Sequence, residues 1–419
     1  MSRPASLALY AAAARAVSPL VPAILRHRAG RGKEDPARLS ERLGHASVAR
    51  PDGPLVWLHG ASVGEGLSLL PLVERLRDLS PDLAVLVTTG TRTSAEVLAG
   101  RLPAGAIHQY VPVDTPGAAA RFIGHWRPDL GVFVESELWP NLIGAARTSG
   151  AKLALVSAKM SDASFRGWRR FPRAAVAMLT AFDLILARDG EAAARFRALG
   201  GPVDGVWDAK LGAQPLPADE TALAALTAAL VGREVILAAS THPGEEGTIV
   251  RAFAEAAKDR PGAVLVIVPR HPDRGGEVAA LVHAEGVSLA RRALDEPPAG
   301  ARVYVADTLG ELGLFFRLAR LAVVGVSLVQ GVGGHNPLEP ARLDCPFVAG
   351  PNTDHWPVYE AFLSAQASRR LETVGDLTAV MGEALRDGLS GMAARAARVA
   401  RRLDADNQAL APRLLALIG

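Results

Sequence analysis

The sequence predicts an α/β protein made of two doubly wound domains of about equal size, each a parallel sheet flanked by helices. Three observations predict it. Short continuous apolar runs recur along the chain, each followed by a Gly-containing turn and a helical pattern, as strands buried on both faces of a parallel sheet do. The alternation stops at residues 208–220, DAKLGAQPLPADE, which carry two prolines and read as a linker, and then restarts. A chain of 419 residues is too long for one compact domain and suits two.

Composition narrows the class. Hydrophobic residues make up 49% and charged residues 21%, so the chain as a whole is not disordered. The single cysteine, Cys345, excludes a disulfide framework or a Cys-based zinc site. Aromatics at 5% argue against a base-stacking nucleic-acid platform. The net charge of +3 is concentrated at the start, where residues 1–33 hold Arg3, Arg15, Arg26, Arg28, Arg31 and Lys33 and no acid.

Residues 1–32 form an amino-terminal arm. Its apolar run, PASLALYAAAARAVSPLVPAIL, is interrupted by Arg15 and bent or broken by Pro19 and Pro22. The expectation is a membrane anchor or interfacial helix whose following cations meet anionic lipid on the cytoplasmic side. An Ala-rich helix packed on the protein itself is the alternative. The first domain, 33–214, carries strands at 55–59, 83–89, 130–136, 152–158 and 182–188. After the first of these, Leu69, Leu72, Val73 and Leu76 share a helical face. The second domain, 215–395, carries strands at 234–241, 263–270, 302–307 and 321–327. Residues 396–419 read as a terminal helix with a solvated basic face. Ligands of such sheets bind outside the carboxyl ends of the strands, and a cleft between two of them suits a two-substrate reaction.

The polar motifs fall at those strand ends. His59-Gly-Ala-Ser-Val-Gly-Glu65 opens a helix, and Glu65 is either a complement to the helix dipole or a general base. The motif lacks the Lys-Ser/Thr of a P-loop and the G-x-G-x-x-G of a dinucleotide site. Glu135-Ser-Glu137-Leu-Trp-Pro-Asn141 places two carboxylates where burial is costly unless they are paired or used. Ser157-Ala-Lys-Met-Ser161 offers hydroxyls and an ammonium. In the second half, Pro269-Arg270-His271-Pro272 fixes an arginine suited to phosphate, and Asp307-Thr-Leu-Gly-Glu311-Leu starts a helix. Gly331-Val-Gly-Gly-His335-Asn336-Pro-Leu-Glu339-Pro-Ala leads into a helix on which Asn336 and Glu339 share a face. A carboxylate there can take both hydroxyls of a ribose while loop amides face a phosphate. His335 and His355 lack a third ligand, so no metal site is expected.

Together, GKEDPARLSERLG (32–44), HGASVGE, VESELWPN, SAKMS, the PRHP turn, DTLGEL and GGHNPLEPA resemble the 3-deoxy-D-manno-octulosonic acid (Kdo) transferase family of lipopolysaccharide synthesis. The resemblance implies a GT-B glycosyltransferase, with two Rossmann-like domains facing a central cleft. It implies inverting, metal-independent transfer of Kdo from CMP-Kdo to a lipid A precursor (lipid IVA) at the cytoplasmic face of the inner membrane, with no cofactor beyond the donor. The amino-terminal domain would hold the acceptor. Glu65 matches the family's proton acceptor, and Glu135 and Lys210 match its transition-state stabilisers. Pro269, Arg270, Gly310, Glu311, Leu312, Asn336, Pro337, Leu338 and Glu339 match its CMP site. The segment Gly350–Trp356 departs from the family's Gly-Pro-His turn, which bears on contacts to the donor sugar. Another GT-B glycosyltransferase or a nucleotide-sugar epimerase is the alternative.

Overall fold

The computed structural model describes residues 4–136, 138–212, 215–329, 333–354, 356–387 and 389–419, with Lys210 as backbone alone. The chain divides into one compact unit of Met1–Ala213 with Asp404–Gly419 and a second of Gln214–Leu403.

The first unit holds a seven-stranded parallel sheet: β1 (Leu55–His59), β2 (Ala84–Thr89), β3 (Ile107–Tyr110), β4 (Leu130–Val134), β5 (Lys152–Ala158), β6 (Leu184–Ala187) and β7 (Gly205–Val206). Its order is β3-β2-β1-β4-β5-β6-β7, so the winding reverses between β1 and β4. Alternate residues serve opposite faces. Leu55 and Trp57 join one apolar cluster with Phe122, Phe133 and Met178, and Val56 and Leu58 join another with Leu72, Val73 and Leu76. The helical face expected after β1 is thus buried, although a proline at the start of Leu70–Leu79 divides the segment into Val63–Ser68 and Leu70–Leu79.

The second unit repeats the plan with β8 (Val235–Thr241), β9 (Val264–Pro269), β10 (Leu289–Arg291), β11 (Val303–Val305), β12 (Leu321–Val324), β13 (Phe347–Ala349) and β14 (Arg369–Arg370). Its order is β10-β11-β9-β8-β12-β13-β14, and the reversal falls between β8 and β12. Ile236, Ala238, Leu265, Ile267 and Val323 face one core of this unit.

The arm is helical over Ala5–Val17 and Val21–Gly30, joined by one 3-10 turn, Ser18–Leu20, that absorbs Pro19. The span Ala5–Gly30 is long and apolar enough to cross a membrane by length and composition. Ala11 and Leu25 are buried against the protein, whereas Leu9 is 72% and Leu20 61% exposed. The Tyr10 hydroxyl donates to Asp114 Oδ2 (3.0 Å), and Arg28 pairs with buried Glu34 (2.8 Å).

The stretch 32–44 closes the edge of the first sheet. Glu41, fully buried, accepts from the Tyr110 amide (2.8 Å), and Arg38 donates to the His108 carbonyl (2.9 Å). Burial, with Arg38 alongside, lowers the His108 pKa to about 4. A Cβ at Gly44 would strike the Ala118 carbonyl, so a side chain there would push this segment off the sheet. One family-like block is therefore structural: it satisfies an otherwise bare strand edge.

The terminal segment is two helices, Ser390–Gln408 and Leu410–Leu415. Pro412 has no N–H to donate to the Gln408 carbonyl, which ends the longer helix there. Leu410, Ala411 and Leu414 are buried in the first unit's core.

Candidate active site

Backbone strain gathers at the carboxyl ends of β4, β5, β8 and β12. Glu135 (φ 63°), Ser157 (φ 49°), Ser240 (φ 58°) and Val326 (φ 61°) are all left-handed. For a β-branched residue such as Val326 this is a true outlier, and such strain gathers at functional sites. Ser157 and Ser240 sit where the register of β5 and of β8 shifts.

In the first unit, Glu65 lies in the first turn of Val63–Ser68. Ser62 caps this helix by accepting from the Glu65 amide (3.3 Å). The Glu65 carboxylate reaches back, accepting from the Ala61 amide (2.7 Å) and from the Ser62 hydroxyl (2.9 Å). This is a variant of the capping box in which the return bond comes from the residue before the cap, and it fixes where the half-buried carboxylate stands.

Glu135 follows β4 and is buried. Its carboxylate pairs with the Lys159 ammonium from the SAKMS block at the end of β5. Lys159 is thus the ammonium that answers Glu135, a role the sequence alone did not assign. Glu137 lies outside the described residues. Asp114 accepts from the amides of Asn141 (3.2 Å) and Leu142 (2.8 Å), and so seats the helix that follows VESELWPN. The Lys210 side chain lies outside the described residues. Its backbone belongs to the turn Ala209–Gly212, which packs on the Glu65 helix. Ser157 Oγ accepts from the Ala209 amide (3.3 Å) and holds that turn.

In the second unit the motifs follow β8, β9, β11 and β12, which are contiguous in the sheet. Pro269 is buried at the end of β9. Arg270 next to it is exposed, has its amide on the Thr241 carbonyl (3.0 Å), and has no carboxylate partner among the described residues. Its charge acts on Glu339, His335 and His242. Burial raises the Glu339 pKa to about 7, against the pull of Arg270 and Arg342. Asn336 Oδ1 accepts from the Leu338 amide (3.0 Å), which fixes Pro337 and Leu338 at the head of Leu338–Ala341. His335 bonds to the Ser240 carbonyl, and its Nε2 is buried without a partner among the described residues. Burial, with His242 and Arg270 nearby, lowers its pKa to about 4. His242 is 5.6 Å from it, ring to ring. His355 lies outside the described residues, and among the described residues no three His, Cys, Asp or Glu side chains gather as metal ligands do.

Gly310, Glu311 and Leu312 open the helix Leu312–Leu318, with Gly310 at φ 81°. The Glu311 side chain is engaged by Arg292 (Nε to Oε2, 2.5 Å) and by the Thr308 hydroxyl. Arg292, reinforced by Thr308, holds its pKa low despite partial burial. Glu311 is therefore a brace for this turn.

Two buried acids lie outside the motifs that the sequence marks. Glu245 accepts from the amides of His242 (3.0 Å), Val326 (2.7 Å) and Leu328 (3.1 Å), and so ties the loop after β8 to the loop after β12. Burial pushes its pKa up, and those amides oppose the shift. Glu246 accepts from Thr241 Oγ1 (3.1 Å) and Arg274 (2.7 Å). The run His242-Pro-Gly-Glu-Glu246 looks like an exposed acidic turn, and only these long-range bonds show otherwise.

A family model described as 3-Deoxy-D-manno-octulosonic-acid transferase (kdotransferase) matches residues 37–210. A probable mitochondrial 3-deoxy-D-manno-octulosonic acid transferase of Arabidopsis thaliana is 36% identical over 83% of this chain and 80% of its own. The Rickettsia bellii transferase of the same name is 33% identical over 83% of each chain. The chain belongs to the Kdo transferase family. As a member it is a glycosyltransferase, and its chemistry is Kdo transfer in lipopolysaccharide synthesis. Among solved structures, a glycosyltransferase of Rickettsia africae matches with a TM-score of 0.58 at 12% identity, covering 87% of this chain and 99% of that one. A UDP-GlcNAc 2-epimerase of Neisseria meningitidis matches with a TM-score of 0.56 at 12% identity, covering 87% and 99%. Both likenesses show the GT-B fold, and neither speaks to substrate.

Proposed function

We propose that this Kdo transferase moves Kdo from CMP-Kdo to a lipid A precursor (lipid IVA), with inversion at the anomeric carbon and without a metal or further cofactor. The observation that carries the donor assignment is Arg270, a cation at the end of β9 without a carboxylate partner among the described residues, whose charge acts on Glu339 in the helix Leu338–Ala341. A guanidinium of this kind suits the CMP phosphate, and an ionised Glu339 suits the ribose hydroxyls. Pro269, Asn336, Pro337 and Leu338 shape that place, and Gly310, Glu311 and Leu312 supply backbone beside it.

The Glu65 carboxylate takes the proton from the acceptor hydroxyl. The freed oxygen bonds to the anomeric carbon of Kdo as the bond to phosphate breaks, and CMP leaves with that electron pair. Glu135 stabilises the positive sugar centre, and Lys210 stabilises the departing phosphate. The bonds that Glu65 accepts hold its carboxylate in one direction, and it has no ion-pair partner among the described residues. The arm Ala5–Gly30 and its cations attach the protein to the cytoplasmic face of the inner membrane, where the lipid acceptor resides.

The test is a reconstituted reaction of purified protein, CMP-Kdo and a tetraacyl lipid A precursor, read by product mass. One or more added Kdo residues, absent with UDP-sugars, is the expected result. No product from CMP-Kdo alongside a product from a UDP-sugar would overturn the reading.

A further inference from the structure

The first unit carries a groove that touches the motifs above only at Pro140 and Asn141. Its volume is about 1420 Å³, and its walls include Leu7, Ile123, Ile143 and Val176. The helix Pro140–Thr148 runs its length: Pro140 and Asn141 line one end and Thr148 the other. At 1.5 Å per residue that is about 14 Å of trough. One end therefore lies at the seat of the VESELWPN loop, where Asp114 holds Asn141.

The charged side chains on the groove's lining among the described residues are Arg147 and Arg173. No acidic side chain among the described residues lines it. Arg147 is neutralised by Asp183 (2.8 Å), but Arg173 on the lining is exposed and has no carboxylate partner among the described residues. Arg166, Arg169 and Arg170, just before it, are likewise exposed and unmatched by any carboxylate among the described residues, and Phe171 among them is 55% exposed. The third wall is the start of the amino-terminal arm, Pro4, Ala5 and Leu7, whose next turns leave Leu9 and Val17 uncovered. An apolar trough, a cationic rim and an apolar helix continuous with it match a ligand with a hydrocarbon chain and an anionic head.

We infer that this groove seats an acyl chain of the phosphorylated lipid acceptor, with Arg173 and its neighbours holding the phosphate. The inference rests on the proposed acceptor class and adds where its chain lies.

Gly144 and Gly124 line the groove, and a Cβ at either meets nothing within 4 Å. Gly144→Trp therefore adds bulk to the trough from an unobstructed Cβ, and replacing a helical glycine favours folding. Binding of a tetraacylated, bisphosphorylated glucosamine disaccharide in detergent micelles is measured for the wild type, Gly144→Trp and Gly144→Ala. Transfer to the same disaccharide without acyl chains is measured in parallel. Expected is a loss of lipid affinity of about tenfold or more in Gly144→Trp, because each chain methylene buried adds to retention. Gly144→Ala stays near wild type, and transfer to the deacylated acceptor is equal in all three. Unchanged lipid affinity in a folded Gly144→Trp would overturn the groove assignment. So would an equal loss of sedimentation with vesicles of plain anionic phospholipid, since the groove would then be a general membrane contact. Failure of the wild type to modify either acceptor would count against the transferase reading, while the binding measurement would still decide the groove.

Discussion

The Lys159 ammonium lies on the Glu135 carboxylate across the ends of adjoining strands, and Glu135 reaches it from a left-handed backbone at φ 63°. Two charges held in register by strain make a preorganised field, which stabilises a transition state without reorganisation at the moment of reaction. Glu135→Gln is expected to lower kcat by on the order of 10²–10³, with CMP affinity unchanged. Steady-state rates and calorimetry check this. A parallel loss of CMP affinity would remove Glu135 from a transition-state role.

Glu65 has two jobs that one pair of variants separates. Gln keeps one oxygen to accept from the Ala61 amide and turns a donor toward the Ser62 hydroxyl, but it is no base. Ala keeps the Ser62 cap but loses both side-chain bonds, at about 0.5–1.5 kcal/mol each. Both variants are expected to lose turnover, and only Glu65→Ala to melt earlier. Near wild-type turnover in Glu65→Gln would leave the residue a cap alone.

Glu339 sets a pH dependence. Its folded pKa of about 7 lies above the ordinary value of 4.5, so folding favours its protonated form. That stabilisation is complete below the unfolded pKa and is lost as pH rises through the folded value. Stability is therefore expected to fall between about pH 4.5 and 7, and CMP affinity to rise through the upper part of that window as the carboxylate ionises. His335, with a pKa of about 4, stays neutral through most of it. Melting and CMP titrations across this range check both trends, and Glu339→Gln should flatten them.

Arg270→Ala is expected to weaken CMP binding by roughly 10–100-fold, the range of a hydrogen bond to a charged group. Calorimetry measures it. Because the Arg270 side chain has no carboxylate partner among the described residues, the variant should melt as wild type does.

Removing residues 1–31 is expected to move the protein from the membrane to the soluble fraction. It also deletes the Tyr10 bond to Asp114 and the Arg28 partner of Glu34. Arg42 remains 3.3 Å from Glu34, so that acid keeps one cation and the melting temperature should fall little. Fractionation of lysate and a thermal melt check both.

Strands buried on both faces were legible because a short, unbroken apolar run bounded by turn residues fits little besides the middle of a covered parallel sheet. β1, β5, β8 and β9 all fall where their runs do. β3 reads Ile-His-Gln-Tyr and β14 only Arg-Arg, so the sheet edges carry too little apolar sequence to announce themselves. At the candidate site, glycines and acids next to strand ends marked Glu65, Glu135 and Glu339. Glu245 and the Lys159–Glu135 pair were not legible, because their partners lie on elements that only the folded sheet brings together.

The closing helix Leu410–Leu415 supplies Leu410 and Leu414 to the core of the first unit. A ribosome releases the amino-terminal half long before it makes these residues. The lobe synthesised first must therefore wait, with one wall of its core exposed to water, until translation has passed through the whole of the other. A nonsense codon just before Leu410 would thus damage the half of the enzyme farthest from it in sequence.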